Sequence, residues 1–115
     1  MNDAILNYTE AKYIYDLIMS NLRETDEDEN YLRENLIKRA ITYNEYRITW
    51  CQMTLKEKAE ADENRTCAHN AFISAVNMID RYQKCNTWRE VLSENRKRIG
   101  DFALYICLFQ GLEAR

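Results

Sequence analysis

A chain of 115 residues has the length of one domain. Its 16 basic and 19 acidic side chains leave a net charge of −3, which is too small and too mixed to predict long-range attraction to nucleic acid or to a membrane. The chain contains no proline and two glycines, which argues against a sheet protein rich in tight turns and favours long helices.

The cysteines and the apolar runs bear on where the protein is found. Each of the four cysteines stands alone rather than in a CxxC pair, a pattern typical of small core residues in a reducing compartment. The sequence shows neither a basic-then-apolar leader nor an apolar run of the ~20 residues that a membrane-spanning helix needs. We therefore expect a cytoplasmic protein with no membrane partner.

The first predicted helix covers residues 4–22. Its apolar residues form one stripe at helical spacing, namely Ala11, Ile14, Tyr15, Ile18 and Leu22. Thr9 is a candidate cap for a shorter version that begins at Glu10. The acidic run at residues 24–30 is either a site for a cation or a basic partner, or a solvated turn whose carboxylates favour the positive end of the next helix. Because the glycine and terminal glutamate of an EF-hand loop are missing, the turn is favoured.

Two long helices follow. The second predicted helix spans residues 27–52, and its inner side carries Leu32, Leu36, Ala40, Tyr43 and Trp50. Thr54 and Glu57 fit a capping box, which predicts that a third helix starts there. One uninterrupted helix is the alternative, since no proline or glycine intervenes. The third helix continues to about residue 85, with a core face of Ala68, Phe72, Ala75, Val76, Ile79 and Tyr82.

Two further helices complete the predicted fold. Thr87 and Glu90 repeat the capping-box pattern and predict a short fourth helix. Ser93 is the expected cap of a fifth helix, and Gly111 is its expected terminal left-handed residue. The inner stripe of this helix is Ile99, Phe102, Ala103, Ile106 and Phe109. The predicted fold class is all-α, an antiparallel bundle of about four to five helices in one domain over residues 1–115.

The fifth predicted helix is unusual in two respects. Leu104, Tyr105 and Leu108 fall outside its inner stripe, so the helix lies either centrally in the bundle or against a second subunit. Gly100 costs ~1 kcal/mol relative to alanine inside a helix. We expect another helix, or the Trp88 ring, to approach closely at this glycine.

Polar residues interrupt the apolar pattern of the third helix. Asp62, Arg65 and His69 lie at i, i+3 and i+7 and project from one side of it. Arg96 and Asp101 lie in or beside the fifth helix. Antiparallel packing of these two helices would bring Asp101 toward His69 or Arg65.

These five residues have two interpretations. As a ligand or catalytic site, Asp62 or Asp101 would orient the His69 imidazole while Arg65 or Arg96 receives an anion. As a structural network, the same groups would satisfy one another and fix how the helices dock. A single histidine without a nucleophile or metal set favours the structural network.

The sequence gives little support to cofactor or nucleic-acid sites. A di-metal bundle needs Glu-x-x-His on two helices, but position 66 is a threonine and His69 is the only histidine. Two separated glycines cannot build a phosphate-binding loop. Arg96, Lys97 and Arg98 point to different sides of a helix, so solvation with a few salt bridges is favoured over nucleic-acid binding. No metal, cofactor or nucleic-acid partner is expected.

Part of the chain resembles a known family. The motifs that carry the resemblance are Asp62-x-x-Arg65-x-x-x-His69-x-x-Phe72, Arg81, Trp88, Arg96 and Ile99-Gly100-Asp101-Phe102-Ala103. Over about residues 54–107 the chain resembles small uncharacterised all-helical proteins of Gram-positive bacteria, often encoded on phages and other mobile elements. The resemblance implies a helical fold and a mobile-element setting, and it carries no activity.

The function expected from these features is protein–protein contact rather than catalysis. The first and fifth helices carry more apolar and tyrosine side chains than one inner stripe requires, which is typical of an interface. We expect a non-enzymatic interaction protein that forms a homodimer through these helices or docks onto a host or phage protein. The alternative is a small-ligand or enzymatic site at Asp62, Arg65, His69 and Asp101.

Overall fold

The computed structural model describes residues 6–83 and 96–111, and these form four helices and no strand. In chain order, α1 spans Tyr8–Ser20, α2 spans Glu27–Cys51, α3 spans Leu55–Gln83 and α4 spans Arg96–Phe109. The all-α fold class is therefore confirmed. The predicted short helix at residues 87–90 lies outside the described residues, so α4 corresponds to the fifth predicted helix.

The first helix begins later than predicted and has a different cap. α1 begins at Tyr8 rather than at residue 4, and the Asn7 side chain accepts a hydrogen bond from the Glu10 backbone N–H at 2.8 Å. Asn7, and not Thr9, is therefore the cap, because it satisfies a free amide of the first turn. Ile14 and Ile18 are buried as the stripe predicts.

The acidic run caps the second helix. The Asp26 carboxylate accepts from the Glu29 backbone N–H at 3.0 Å, and the first turn of α2 carries three acidic residues. Negative charge is favoured there because the free amides at a helix start carry positive partial charge. Glu24 forms an ion pair with Arg33 at 3.1 Å. These placements support the interpretation of the run as a turn.

Glu29 differs from the other carboxylates of this run because it is buried and joins the turn before α2 to the C-terminal end of α3. It accepts hydrogen bonds from the backbone N–H and Nε of Arg23, both at 3.0 Å, and from the Tyr82 hydroxyl at 2.9 Å. The backbone hydrogen bond is the main cause of the lowered pKa of Glu29. The bond to Glu29 in turn raises the pKa of Tyr82. Tyr82, predicted on the core face, is exposed and held by its hydroxyl.

α2 and α3 are antiparallel and separated by a short turn. The predicted capping box is confirmed, with the Thr54 N–H donating to Glu57 Oε1 at 2.9 Å and the Glu57 N–H donating to Thr54 Oγ1 at 3.2 Å. The bond from the Thr54 N–H is the main cause of the lowered pKa of Glu57. Contacts along the pair run in opposite directions on the two helices: Glu29 with Tyr82, Arg39 with Ala71, and Trp50 with Arg65.

One apolar core joins the helices. The Phe72 ring of α3 lies 6.2 Å from Tyr43 of α2 and 6.3 Å from Phe102 of α4. Phe72 and Phe102 are completely buried, and residues of α1 belong to the same core. No described helix combines the length and the apolar character needed to cross a membrane.

The cysteines divide between core and surface. Cys107 is buried as expected, and this burial raises the pKa of its thiol. The core expectation is wrong for Cys51 and Cys67, which are exposed free thiols. Cys85 lies outside the described residues.

Candidate functional site

Asp62 and Arg65 form the pair that their spacing predicts. Arg65 Nη2 lies 3.2 Å from Asp62 Oδ1, one turn away on α3. The Arg65 guanidinium also covers the Trp50 ring of α2, with its central carbon 4.5 Å from the ring centroid. Arg65 therefore lies between α2 and α3, where its charge contacts a carboxylate on one helix and an aromatic ring on the other.

His69 lies one further turn along α3, in the core between the two helices. Its side chain is buried, and its ring meets the Tyr43 ring edge-on at 5.3 Å. Nδ1 lies 3.2 Å from the Asn70 side-chain oxygen. His69 thus packs against α2 as a core residue, and this position favours a structural contribution.

Asp101 has a different neighbour from the one suggested by antiparallel packing of the third and fifth predicted helices. Its carboxylate accepts a hydrogen bond from the Leu6 backbone N–H at 3.2 Å. Asp101 therefore joins α4 to the segment before α1, and the structure gives no contact between it and Arg65 or His69 among the described residues. The Arg96 side chain lies outside the part of the chain that the structure describes.

Arg98 belongs to the basic triplet that was expected to be solvated. Its side chain is instead buried, and its Nη2 lies 2.6 Å from the Glu10 carboxylate of α1. The salt bridge that the triplet predicts is present, but it is an internal link between α4 and α1. This arginine is therefore not available to a nucleic-acid backbone.

A cavity of about 450 Å³ opens beside Arg65 at the C-terminal end of α2. Its walls come from three helices, with Trp50 and Asn44 on α2, Arg65 on α3 and Leu104 on α4. This volume falls within the range of small-molecule sites. The sequence prediction placed Trp50 in the core stripe and did not single out Asn44 or Arg47. The one sequence signal for this cavity is that Arg47 and Trp50 are three residues apart, which places their side chains next to each other on one face of α2.

Arg47 is the second arginine of the cavity, and it explains the glycine in α4. Its Nη1 donates to the Gly100 carbonyl at 2.6 Å. A Cβ added at Gly100 would lie 2.5 Å from the central guanidinium carbon of Arg47. The predicted close approach by another helix is therefore confirmed, and the approaching group is a side chain of α2.

A second surface feature lies where α1 meets α4. The rings of Tyr8, Tyr15, Tyr105 and Phe109 contact one another there, with centroid distances from 4.9 to 6.1 Å. We call these four residues the aromatic face. Tyr8 is 57% exposed, and the neighbouring Leu108 of α4 is 41% exposed. The Lys12 ammonium lies over the Tyr15 and Phe109 rings, at 5.6 and 5.1 Å from their centroids.

No family model, curated protein or solved structure matches the chain. The resemblance to helical proteins of mobile elements therefore stays a prediction. In the described residues, no group of three or more His, Cys, Asp or Glu side chains is placed to hold a metal ion. Among the described residues, the aromatic face and the cavity between Arg47 and Arg65 are the features on which a functional assignment is based.

Proposed function

We propose that the protein acts by protein–protein contact, without catalysis, and that the aromatic face is its docking surface. The observation that carries this proposal is the partial exposure of a connected group of aromatic rings at the α1–α4 contact. Tyrosine and phenylalanine are enriched in interfaces because they bury a large area with few rotatable bonds. A single chain leaves this area in water, and a partner would cover it.

The occupant that we propose for this surface is a second copy of the chain. In a two-fold dimer each aromatic face would pack against its own equivalent. Lys12 and Asp16 form an ion pair at 3.1 Å on the same helix, so this region presents both signs of charge. A two-fold axis can place the lysine of one copy near the aspartate of the other, which would favour self-association.

Sedimentation velocity over a range of protein concentrations tests the dimer. We expect the wild type to show a monomer–dimer equilibrium and Leu108→Glu to shift it toward monomer, because a carboxylate would be buried at the interface. Tyr8→Ser should also shift the equilibrium toward monomer, because Tyr8 belongs to the aromatic face. Tyr31→Ser is its matched control, since Tyr31 on α2 is also 57% exposed but lies outside that face. A wild type that stays monomeric at the highest concentration, or a Tyr31 variant that dissociates as readily as the Tyr8 variant, would refute the dimer.

The alternative function, a ligand or enzymatic site at Asp62, Arg65, His69 and Asp101, finds support only at Arg65. Asp101 accepts from the Leu6 backbone N–H, and His69 contacts Tyr43 and Asn70; these contacts favour a structural function for both residues. Arg65 alone among the four lines the cavity. A ligand site is therefore better centred on the cavity than on the predicted polar set.

Three broader proposals rest on the sequence. We propose that the whole chain forms one antiparallel bundle domain, that it is cytoplasmic, and that it belongs to a phage or another mobile element. The cysteines, each of which stands singly in the sequence, support the location. The motif between Asp62 and Ala103 supports the origin. Expression of a tagged copy followed by cell fractionation would test the location, and recovery in the membrane or secreted fraction would refute it.

A further inference from the structure

The cavity at the end of α2 combines apolar walls with positive charge. Trp50, Tyr43, Ile48 and Leu104 supply most of the wall, and the charged side chains among the described lining residues are the two guanidinium groups of Arg47 and Arg65. A site with apolar surface and net positive charge selects a ligand that has an apolar body and a negative group.

Both guanidinium groups keep donors for a ligand. Each arginine carries five N–H donors. Arg47 uses one on the Gly100 carbonyl, and Arg65 uses one on Asp62. Arg65 Nε is enclosed by the protein, so the donors that Arg65 can offer to the cavity are those of its terminal nitrogens. The planar fork of an arginine matches the two oxygens of a carboxylate, so donors of this kind favour a carboxylate ligand.

Asn44 adds a neutral polar group to the same wall. It is only 5% exposed, and the hydrogen bonds found among the described residues do not involve its side-chain amide. Its amide atoms are not among the enclosed polar atoms that lack a hydrogen-bond partner, so the amide is reachable from the cavity and can hydrogen-bond a polar group there.

The size of the cavity sets the size of the ligand body. A closed cavity of about 150 Å³ is sufficient for benzene. The 450 Å³ found here therefore accommodates a two-ring body together with a carboxylate. A flat ring suits this space because aromatic and aliphatic side chains line it, and the Arg65 guanidinium, which lies 4.5 Å from the Trp50 ring centroid, is held beside that apolar wall.

We propose that this cavity binds a small aromatic carboxylic acid, with its rings against Trp50 and Leu104 and its carboxylate on Arg65 and Arg47. Asn44 would donate to the same carboxylate or to a polar substituent of the ring. The proposal is independent of the dimer, since none of these residues belongs to the aromatic face.

The first test compares two probes of the same shape by calorimetry on the full chain. We expect 2-naphthoate to bind at least about 10-fold more tightly than the uncharged 2-naphthamide, since only the acid can form charge-assisted bonds to arginine. Arg65→Gln should weaken 2-naphthoate binding by about 10-fold or more. Arg33→Gln is the matched control, because it removes the same charge from an arginine of α2 whose ion pair is with Glu24, outside the cavity.

A second measurement needs no variant and so does not depend on a variant folding. Cys51 is an exposed free thiol at the cavity wall, whereas Cys67 is an exposed free thiol outside it. Bound 2-naphthoate should slow alkylation of Cys51 by iodoacetamide and leave Cys67 unchanged. The two thiols are followed by mass spectrometry on the tryptic peptides 48–56 and 66–81.

Several results would overturn the proposal. The first is that 2-naphthoate does not bind at about 5 mM, a concentration above the dissociation constants of ordinary weak ligands. The second is that the acid and the amide bind equally well, and the third is that Cys51 and Cys67 are protected equally. An Arg65→Gln protein that is folded by circular dichroism and binds like the wild type would overturn it as well. Tighter binding of the acid together with selective protection of Cys51 would support it.

Discussion

The α2–α3 pair and the α1–α4 contact use the same kinds of residues but bury them to different extents. Between α2 and α3, the rings of Tyr43, His69 and Phe72 are almost completely buried. Where α1 meets α4, aromatic rings also contact one another, but Tyr8 remains 57% exposed. The first contact is satisfied within one chain, whereas the second leaves apolar area in water. This difference is the physical basis for proposing the aromatic face as a docking surface.

The two contacts also place their charges differently. The cavity at the end of the α2–α3 pair is bordered by Arg65, whose carboxylate partner Asp62 is largely exposed. The α1–α4 contact contains the buried Arg98, whose partner Glu10 comes from the other helix. The Arg65 charge in the first region therefore borders an open cavity, whereas the Arg98 charge in the second links two helices.

The largest predicted difference between the two regions is in the cost of removing a ring. Phe72→Ala should lower the free energy of unfolding by about 3–5 kcal/mol, because it leaves a cavity in a closed core. Phe109→Ala should cost only about 1–2 kcal/mol, since that ring is partly exposed and its transfer from water is incomplete. Urea titrations of both variants, at the same protein concentration, measure this difference in the free energy of unfolding. Equal costs would mean that the α1–α4 contact is as closed as the core.

A smaller effect is expected from the ion pair that links α1 to α4. Glu10→Gln should cost about 1–2 kcal/mol, because it leaves Arg98 buried with a weaker partner. The cost stays below that of a fully buried pair, since the Glu10 side chain is 38% exposed. Asp16→Asn is the control on the same helix, where loss of the exposed pair with Lys12 should change stability by less than about 0.5 kcal/mol. Similar costs for both variants would contradict the structural importance of the Arg98 link.

The Glu29 network predicts a pH dependence. The pKa of Glu29 is lowered in the folded protein, mainly by the Arg23 backbone hydrogen bond, so the unfolded chain takes up a proton first as the pH falls. The stabilisation is fully present above the ordinary glutamate pKa and is lost as the pH falls through the lower folded value. Thermal unfolding from pH 7 to pH 3 should therefore show a shallower acid decline for Glu29→Gln than for the wild type. Glu63→Gln, at an exposed position of α3, is the control, and an unchanged slope for Glu29→Gln would show that the network contributes nothing.

The smallest predicted effect concerns Gly100. Gly100→Ala should change stability by less than about 1 kcal/mol, because the gain in helix propensity opposes the displacement of the Arg47 guanidinium and its hydrogen bond. In an Arg47→Ala background the same change should stabilise by about 0.5–1 kcal/mol, since the opposing cost is gone. A double-mutant cycle by urea unfolding measures this coupling. Equal gains in both backgrounds would mean that Arg47 is not the reason for the glycine.

Local rules predicted the helices well. The capping box at Thr54 placed the turn between α2 and α3, and Gly111 has the positive φ of 79° expected of a residue that ends a helix. The Asp62–Arg65 pair also followed from spacing, since residues three apart on a helix are neighbours in any helical fold. Thr9 failed as a cap because the helix already begins at Tyr8, where Asn7 accepts the Glu10 backbone N–H.

The residue-to-residue contacts between helices were not predicted from the sequence. Within residues 6–83 and 96–111, the sequence by itself determined the all-α fold, the turn between α2 and α3 and most of the face that each helix buries, because these depend on neighbours within a few residues. Only the tertiary structure decided that Asp101 meets Leu6 and that Arg47 fits against Gly100. The cavity between Arg65 and Trp50 was decided there as well. Helical periodicity fixes which side of a helix faces inward, but it leaves open how far one helix slides or turns against the next, and each of these contacts depends on that offset.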